Sequence, residues 1–449
     1  MVRTARRGLP LLLVAAAGAG VLVAPHPARA QAAPRGTDPV PAVERAAHPL
    51  RATGPGGFDR DLRPLGRMVG DASVVGLGEA THGSHEFFTM KDRVFRYLVE
   101  EKGFTTFAQE VSWTTGLRFD AYVRGGKGDV RALVHHELAK TPWDTEEYVE
   151  LLTWMRAYND RHPGRQVRFV GDDLNYPEQG VELFDGITDY VRAHEPDLLP
   201  RISSLYAPLR RLTDGDTYMG LPLAERKKLA GRAQAAYDLL KERRPKGRQS
   251  PAQERQFDFV LQHARSVLQT GDMYAFPLDT DAGRRDAMLY RDRAMARNTA
   301  WWQRHSGTKV LLSAHNAHVA YESYDPRYPR MQGAFLRDAL GTRYVSMGFT
   351  FDRGSFMAQP TGSETWRRFT VGAATRGMNE YTLDKVRHDD YFVDTRTLPN
   401  SARAWLGKAR TTRSIGSGWP DGPYKIGLAP SHDVLIHLHR VTAAHRQSQ

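Results

Sequence analysis

From Ser73 to Val111 the chain switches between two periodicities, and that switching limits its possible folds more than any other feature. Ser73-Val74-Val75-Gly76-Leu77-Gly78 is a short β-branched and apolar run ending in glycine, the pattern of a buried strand. Phe87, Met90, Val94, Phe95 and Leu98 then fall at i, i+3, i+7, i+8 and i+11, one apolar face of a helix, with Gly103 where a C-terminal cap belongs. Thr105 to Val111 is apolar and β-branched again. Strand, helix, strand at this spacing predicts a parallel crossover.

The alternation continues. Glu146 to Arg161 carries Tyr148, Leu151, Leu152 and Met155 at helical spacing, and Val167 to Asp173 is a third strand. Lys309 to Ala314, Arg343 to Phe349 and Asp433 to Leu438 are further strands, and Arg284 to His305 is a helix. Between them, residues 196–270 are long, charged and amphipathic, with helices at Leu223 to Arg243 and Pro251 to Gln269. The predicted fold is α/β: a mainly parallel sheet flanked by helices, with a large helical insertion at 196–270. Tyr206, Leu209, Leu212, Tyr218, Met219 and Leu221 make that insertion either a scaffold or an apolar wall beside a ligand.

In open parallel sheets, ligands bind beyond the carboxyl ends of the strands. The first strand here ends in Glu79 and His82, the second in Glu110, the third in Asp172 and Asp173, the fourth in His315-Asn316-Ala317-His318. Four strands thus bring acids or imidazoles to one edge. Such groups are costly to bury unless satisfied, so their coincidence predicts a functional cleft.

Several chemistries are excluded. The chain has 449 residues and no Cys, which removes thiolate nucleophiles, Cys-ligated zinc and iron–sulfur clusters. No G-x-S-x-G elbow, G-x-G-x-x-G fingerprint after a strand or P-loop occurs, and His136-Glu137-Leu138-Ala139-Lys140 lacks the second His of a zincin. Imidazole and carboxylate acting on water remain. His82, oriented by Glu110 or by Glu79, is a candidate general base, and His315 a donor to a developing oxyanion. His-x-x-His pairs at His82/His85 and His315/His318 leave a His/Asp metallohydrolase open as an alternative, with Glu110 or Asp172 as a further ligand. A catalytically silent extracellular binder of a polyketide or glycan is the alternative from a different class.

The N-terminal residues have their own signature. Arg3, Arg6 and Arg7 precede the apolar run Leu11 to Val23, and Ala28-Arg29-Ala30 is a small-residue cleavage site. This predicts a secretory signal over 1–30, a Pro/Gly-rich leader or linker over 31–57, a catalytic domain over 58–440 and a tail over 441–449, with the mature protein extracellular and free of the membrane. The signal holds four arginines and no acid, so +8 of the +12 net charge belongs to the remainder. There the basic residues are interleaved with acids, as in Glu225-Arg226-Lys227-Lys228, which predicts a solvated helix face and no nucleic-acid partner.

Gly78-Glu79-Ala80-Thr81-His82-Gly83, Glu86-Phe87-Phe88, Phe107-Ala108-Gln109-Glu110, Gly171-Asp172, Arg291-Asp292 with Met295-Ala296-Arg297-Asn298, and His315-Asn316-Ala317-His318-Val319 occur in this order. The ordered set closely resembles the erythromycin esterase family, from about Val69 to at least Phe349. The resemblance implies an α/β core with helical insertions and metal-independent hydrolysis of a macrolide lactone, without a cofactor. It implies that His82 activates water, that Glu110 assists, that His315 completes the site and that Glu79 is a further motif acid. Asp172, Asn316, His318, His85 and Arg291 are then expected to bind substrate or support these groups. The family's antibiotic-resistance enzymes act in the cytoplasm, whereas an export signal here points to a small-molecule ester that need not be an antibiotic.

Overall fold

The computed structural model describes residues 38–56, 59–175, 181–212, 214–245 and 250–447. Residues 1–30, the expected export signal, lie outside the described residues. The strands of the main sheet are β1 (His48–Pro49), β2 (Val74–Leu77), β3 (Phe104–Ser112), β4 (Arg168–Asp173), β5 (Lys309–Ser313), β6 (Tyr344–Pro360), β7 (Arg367–Val371) and β8 (Tyr391–Asp394). β9 (Arg410–Thr412) and β11 (Tyr424–Ile426) form a separate antiparallel pair, and β10 (Gly418–Trp419) runs parallel to the end of β6. The last strand, β12 (Val434–Val441), returns to the main sheet.

The sheet runs β1-β8-β12-β6-β2-β5-β3-β4. From β12 to β4 every pairing is parallel, and β1, β8 and β7 add antiparallel edges. All four residues of β2 are buried, because a central strand of a parallel sheet is covered on both faces. Side chains alternate between those faces. Val75, Phe107, Phe169 and Leu311 enter one core with Phe95 and Leu98 of the helix His85–Lys102 and with Leu152 and Met155 of the helix Glu146–Arg161. Their neighbours Val74, Ala108, Val170, Val310 and Leu312 enter the other core. Gly103 caps the first of those helices at φ 72°, a conformation that favours glycine.

The second core shows what the insertion does. Its helices, Val181–His194, Leu199–Arg210, Leu223–Glu242 and Pro251–Tyr274, contribute Ile187, Tyr206, Leu240, Phe257 and Leu261 to it. The helical layer therefore begins ahead of residue 196. Tyr206, Leu209 and Tyr218 are buried among helices, as packing residues of a scaffold.

Both expected terminal boundaries need correction. Part of the 31–57 leader is folded: Val40–Ala46 is a helix, and its Val43 is buried in a third core with Leu383 and Leu435. Residues 442–446 of the expected tail are also part of the fold, since Ala444 is buried and their backbone bonds to the starts of two helices. Short polar segments of this kind carry no periodicity, so only their long-range contacts reveal them.

Candidate active site

The strands β2, β5, β3 and β4, whose C-terminal ends carry the candidate residues, are consecutive neighbours in the sheet. The loop after β2 is fastened on several sides. Asn316 N–H donates to Glu79 O at 2.9 Å, Ile415 N–H to Ala80 O at 2.8 Å, and Met357 N–H to Gly83 O at 2.9 Å. A Cβ at Gly83 would lie 2.1 Å from Met357 O, so this close approach of two backbones requires glycine.

This loop turns His82 inward. Its Nδ1 lies 2.6 Å from Glu79 Oε1, and both side chains are buried. Glu79 Oε2 accepts from the Lys91 ammonium, which also donates to Ala314 O at 3.3 Å. Burial pulls the Lys91 amine below its ordinary range, against the opposing pull of Glu79 and Glu110. The His82 ring meets the edge of Trp143 at 5.3 Å and lies 4.8 Å from the His315 ring, centroid to centroid.

His315 Nδ1 accepts the Ala317 N–H at 3.3 Å, which leaves the proton of the neutral ring on Nε2. Among the described residues nothing bonds that buried Nε2. Burial, reinforced by neighbouring His82 and His318, holds the His315 pKa well below its ordinary value, so the ring is neutral near pH 7.

Glu110 does not bond His82. Its Oε2 accepts the His315 N–H at 3.0 Å, and its Oε1 faces His318 Nε2 at 3.2 Å and Arg291 Nη2 at 3.1 Å. Burial would raise the Glu110 pKa, but the cationic groups around it, His318 foremost, hold it well below the usual carboxylate range. Burial would likewise depress His318; Glu110 and Asp292 overcome that, and the ring is held protonated between them, with Nδ1 2.7 Å from Asp292 Oδ1. Arg291 Nε also bonds both oxygens of Asp173, at 3.0 and 3.1 Å. Of the two expected partners of His82, the structure therefore selects Glu79. Glu110 is the hub of a neighbouring network that fixes His315, His318 and Arg291.

Three expected site residues bond other partners with their side chains. Asn316 spends its side chain on the Phe349 backbone, donating at 2.7 Å and accepting at 2.9 Å, and so clamps the loop after β5 to β6. Asp172 is buried against Thr299 and Gln332, which donate to its Oδ2 at 2.7 and 2.5 Å, and burial pushes its pKa up to about 8. His85 turns away from His82 to Glu147, 2.6 Å distant. Both nitrogens of His318 face carboxylates and His315 Nδ1 is occupied, so neither His-x-x-His pair presents two imidazoles to one ion.

Sequence reasoning missed Lys91, Asp292 and Trp143 as members of the site. Lys91 left a trace: it lies four residues after Phe87 and four before Phe95, a lone cation on the apolar stripe of its helix.

Comparison with known proteins gives the family and the fold. A model of the erythromycin esterase family matches residues 99–441, a span that holds Glu110, Arg291, His315 and His318. The chain is similar to an erythromycin esterase type II of Escherichia coli, 25% identical over 379 residues, 77% of this chain and 85% of that protein. A crystal structure described as a succinoglycan biosynthesis protein is 30% identical, covering 92% of this chain and 99% of its own with a TM-score of 0.81. An erythromycin esterase variant in its open conformation shares the fold at 17% identity, with a TM-score of 0.65 over 86% of this chain and 95% of its own. On the matched span, which covers most of its length, the chain belongs to the erythromycin esterase family.

Proposed function

We propose that the chain hydrolyses a carboxylic ester or macrolide-type lactone with water deprotonated by His82. One observation carries this reading: Nδ1 of His82 is held by Glu79, while among the described residues no group bonds its Nε2. The carboxylate fixes the tautomer with the lone pair on Nε2 and stabilises the imidazolium that forms. Nε2 takes a proton from water as the oxygen attacks the carbonyl carbon, and a tetrahedral oxyanion results. The neutral His315 Nε2–H is a donor without a competing partner among the described residues, suited to that oxyanion. Collapse breaks the bond to the alkoxide, which receives the proton back from His82. No cofactor enters these steps, and family membership supports hydrolase activity in general.

The test is hydrolysis by the His82→Asn variant, with erythromycin-type lactones and aryl esters as substrates and the gain of one water read by mass. Asn keeps a similar shape but accepts no proton near pH 7, so kcat/KM is expected to fall by roughly 10²- to 10⁴-fold with the fold intact. A variant retaining more than about a tenth of wild-type kcat/KM, outside that range, would place the base elsewhere. Saturable binding of these compounds by wild-type protein with no turnover would reduce the site to a binding cleft.

Export belongs to the same proposal, on the sequence signature of residues 1–30. Protein collected from culture medium is expected to begin near Gln31; an intact, membrane-bound Met1 form would overturn it.

A further inference from the structure

Behind the His82 loop, three side chains from distant parts of the chain converge. His85 is the first residue of the helix His85–Lys102, Glu147 the second of the helix Glu146–Arg161, and His445 lies beyond β12. His85 Nδ1 lies 2.6 Å and His445 Nδ1 3.0 Å from the same oxygen, Oε1 of Glu147. That oxygen also accepts the His445 backbone N–H at 3.1 Å. The other oxygen, Oε2, is buried and has no partner among the described residues. A buried carboxylate with one oxygen crowded by three nitrogens, and the other lacking a well-formed bond although the Thr145 side chain and its own backbone N–H stand near the group, is poorly balanced as a purely hydrogen-bonded group.

We propose that His85, Glu147 and His445 form a site for a zinc-type divalent cation that pins the C-terminal segment to the loop carrying His82. Candidate ligand atoms from all three lie within 4.8 Å of one another. Ligands about 2.0–2.2 Å from a tetrahedral zinc are roughly 3.4 Å apart, so small rotations of the two imidazoles bring three donors onto one ion. Two nitrogens and one carboxylate suit zinc rather than magnesium or calcium, which take oxygen ligands. His445 is 63% exposed in its side chain and His85 32%, which leaves a solvent-facing position for water. Glu86 and Glu150 add negative charge around His85, and Glu86 also accepts from Thr442 N–H and Oγ1 at 2.6 and 2.8 Å.

The backbone already holds the ligands in place. His85 N–H donates to Thr442 O at 2.8 Å, Ala444 N–H to Gly83 O at 2.9 Å and Glu146 N–H to His445 O at 2.8 Å. An ion here would add a side-chain clasp where the backbone already joins the C-terminal segment to Gly83, next to His82. It would take no part in the hydrolytic step.

The experiment is calorimetric titration of the chelator-treated full chain with Zn(II), with Mg(II) in parallel, on wild type and on His445→Ala, His85→Ala and His82→Asn. Wild type is expected to bind one Zn(II) saturably, with a rise in Tm as bound ligand stabilises the native state, and Mg(II) to give no comparable binding. His445→Ala and His85→Ala should each weaken Zn(II) binding by more than the roughly 10- to 100-fold that loss of an outer partner of a ligand costs. His82→Asn should bind as wild type does, whether or not His82 is the catalytic base. Circular dichroism of His445→Ala, an exposed position, verifies that the fold is retained. Absence of saturable Zn(II) binding in wild type, unchanged affinity in His445→Ala, or loss of affinity in His82→Asn would each overturn the site.

Discussion

Nδ1 of His82 and Oε1 of Glu79 lie 2.6 Å apart, three residues from one another on a single loop. The two side chains therefore move together, and the hydrogen bonds that fasten this loop to Asn316, Ile415 and Met357 fix both at once. Glu110, which arrives on another strand, sets the surroundings instead by holding His318 and Arg291 in place.

If His82 is the proposed base, this coupling predicts that the two residues act as one unit in kinetics. Glu79→Gln is expected to lower kcat/KM strongly, because an amide stabilises an imidazolium poorly. Combined with His82→Asn it should add far less than its own effect, as catalytic residues acting as a unit are non-additive. Hydrolysis rates of the two single variants and the double variant measure this; independent effects would separate Glu79 from the base.

Lys91 and Glu79 are a buried ion pair, which implies an asymmetry in stability. Lys91→Met strips Glu79 of its charge partner and is expected to cost about 3–5 kcal/mol. Removing both charges in Lys91→Met/Glu79→Gln should restore much of that stability while leaving activity low, because the orienting acid is gone. Chemical denaturation and turnover of the three variants verify the pattern.

Two buried acids should respond in opposite ways to neutralisation. At Glu110, neutral glutamine leaves cationic His318 and Arg291 undercompensated, so Glu110→Gln should destabilise at pH 7. The Asp172 pKa is raised from 3.8 to about 8 by burial. Its stabilising contribution is full below 3.8 and falls away as pH rises to about 8, because the folded state holds the proton that the unfolded state releases. Asp172→Asn removes that loss. Its stability relative to wild type should climb with pH over this window and level off above it, as read from Tm against pH.

Gly83→Ala tests the loop's backbone. The added Cβ would fall 2.1 Å from Met357 O, and the chain must shift beside His82. A displacement near 1 Å can cost about 10²-fold, and a loss of that order in kcat/KM with a modest fall in Tm is the expected outcome. Wild-type kinetics would show that the loop accommodates the methyl group without moving the base.

Much of this architecture was legible in the chain itself. The apolar runs at Val74–Leu77, Arg168–Asp173 and Lys309–Ser313 and the helical stripe from Phe87 to Leu98 were readable because strand and helix periods are local properties of the backbone. The same periods place Glu79, His82, Glu110 and His315 after or near the ends of strands, and so at one edge of the sheet. Only the tertiary structure decided which acid serves His82. Glu79 and Glu110 are equivalent choices in sequence, and the difference rests on a loop fastened by contacts with Asn316, Ile415 and Met357, 200 or more residues away. It also decided that Lys91 belongs to the site, that Asn316 and Asp172 face other partners, and that residues 442–446 join the fold. Those outcomes depend on which strands become neighbours, a consequence of burying two faces of one sheet at once, and no local spacing encodes that.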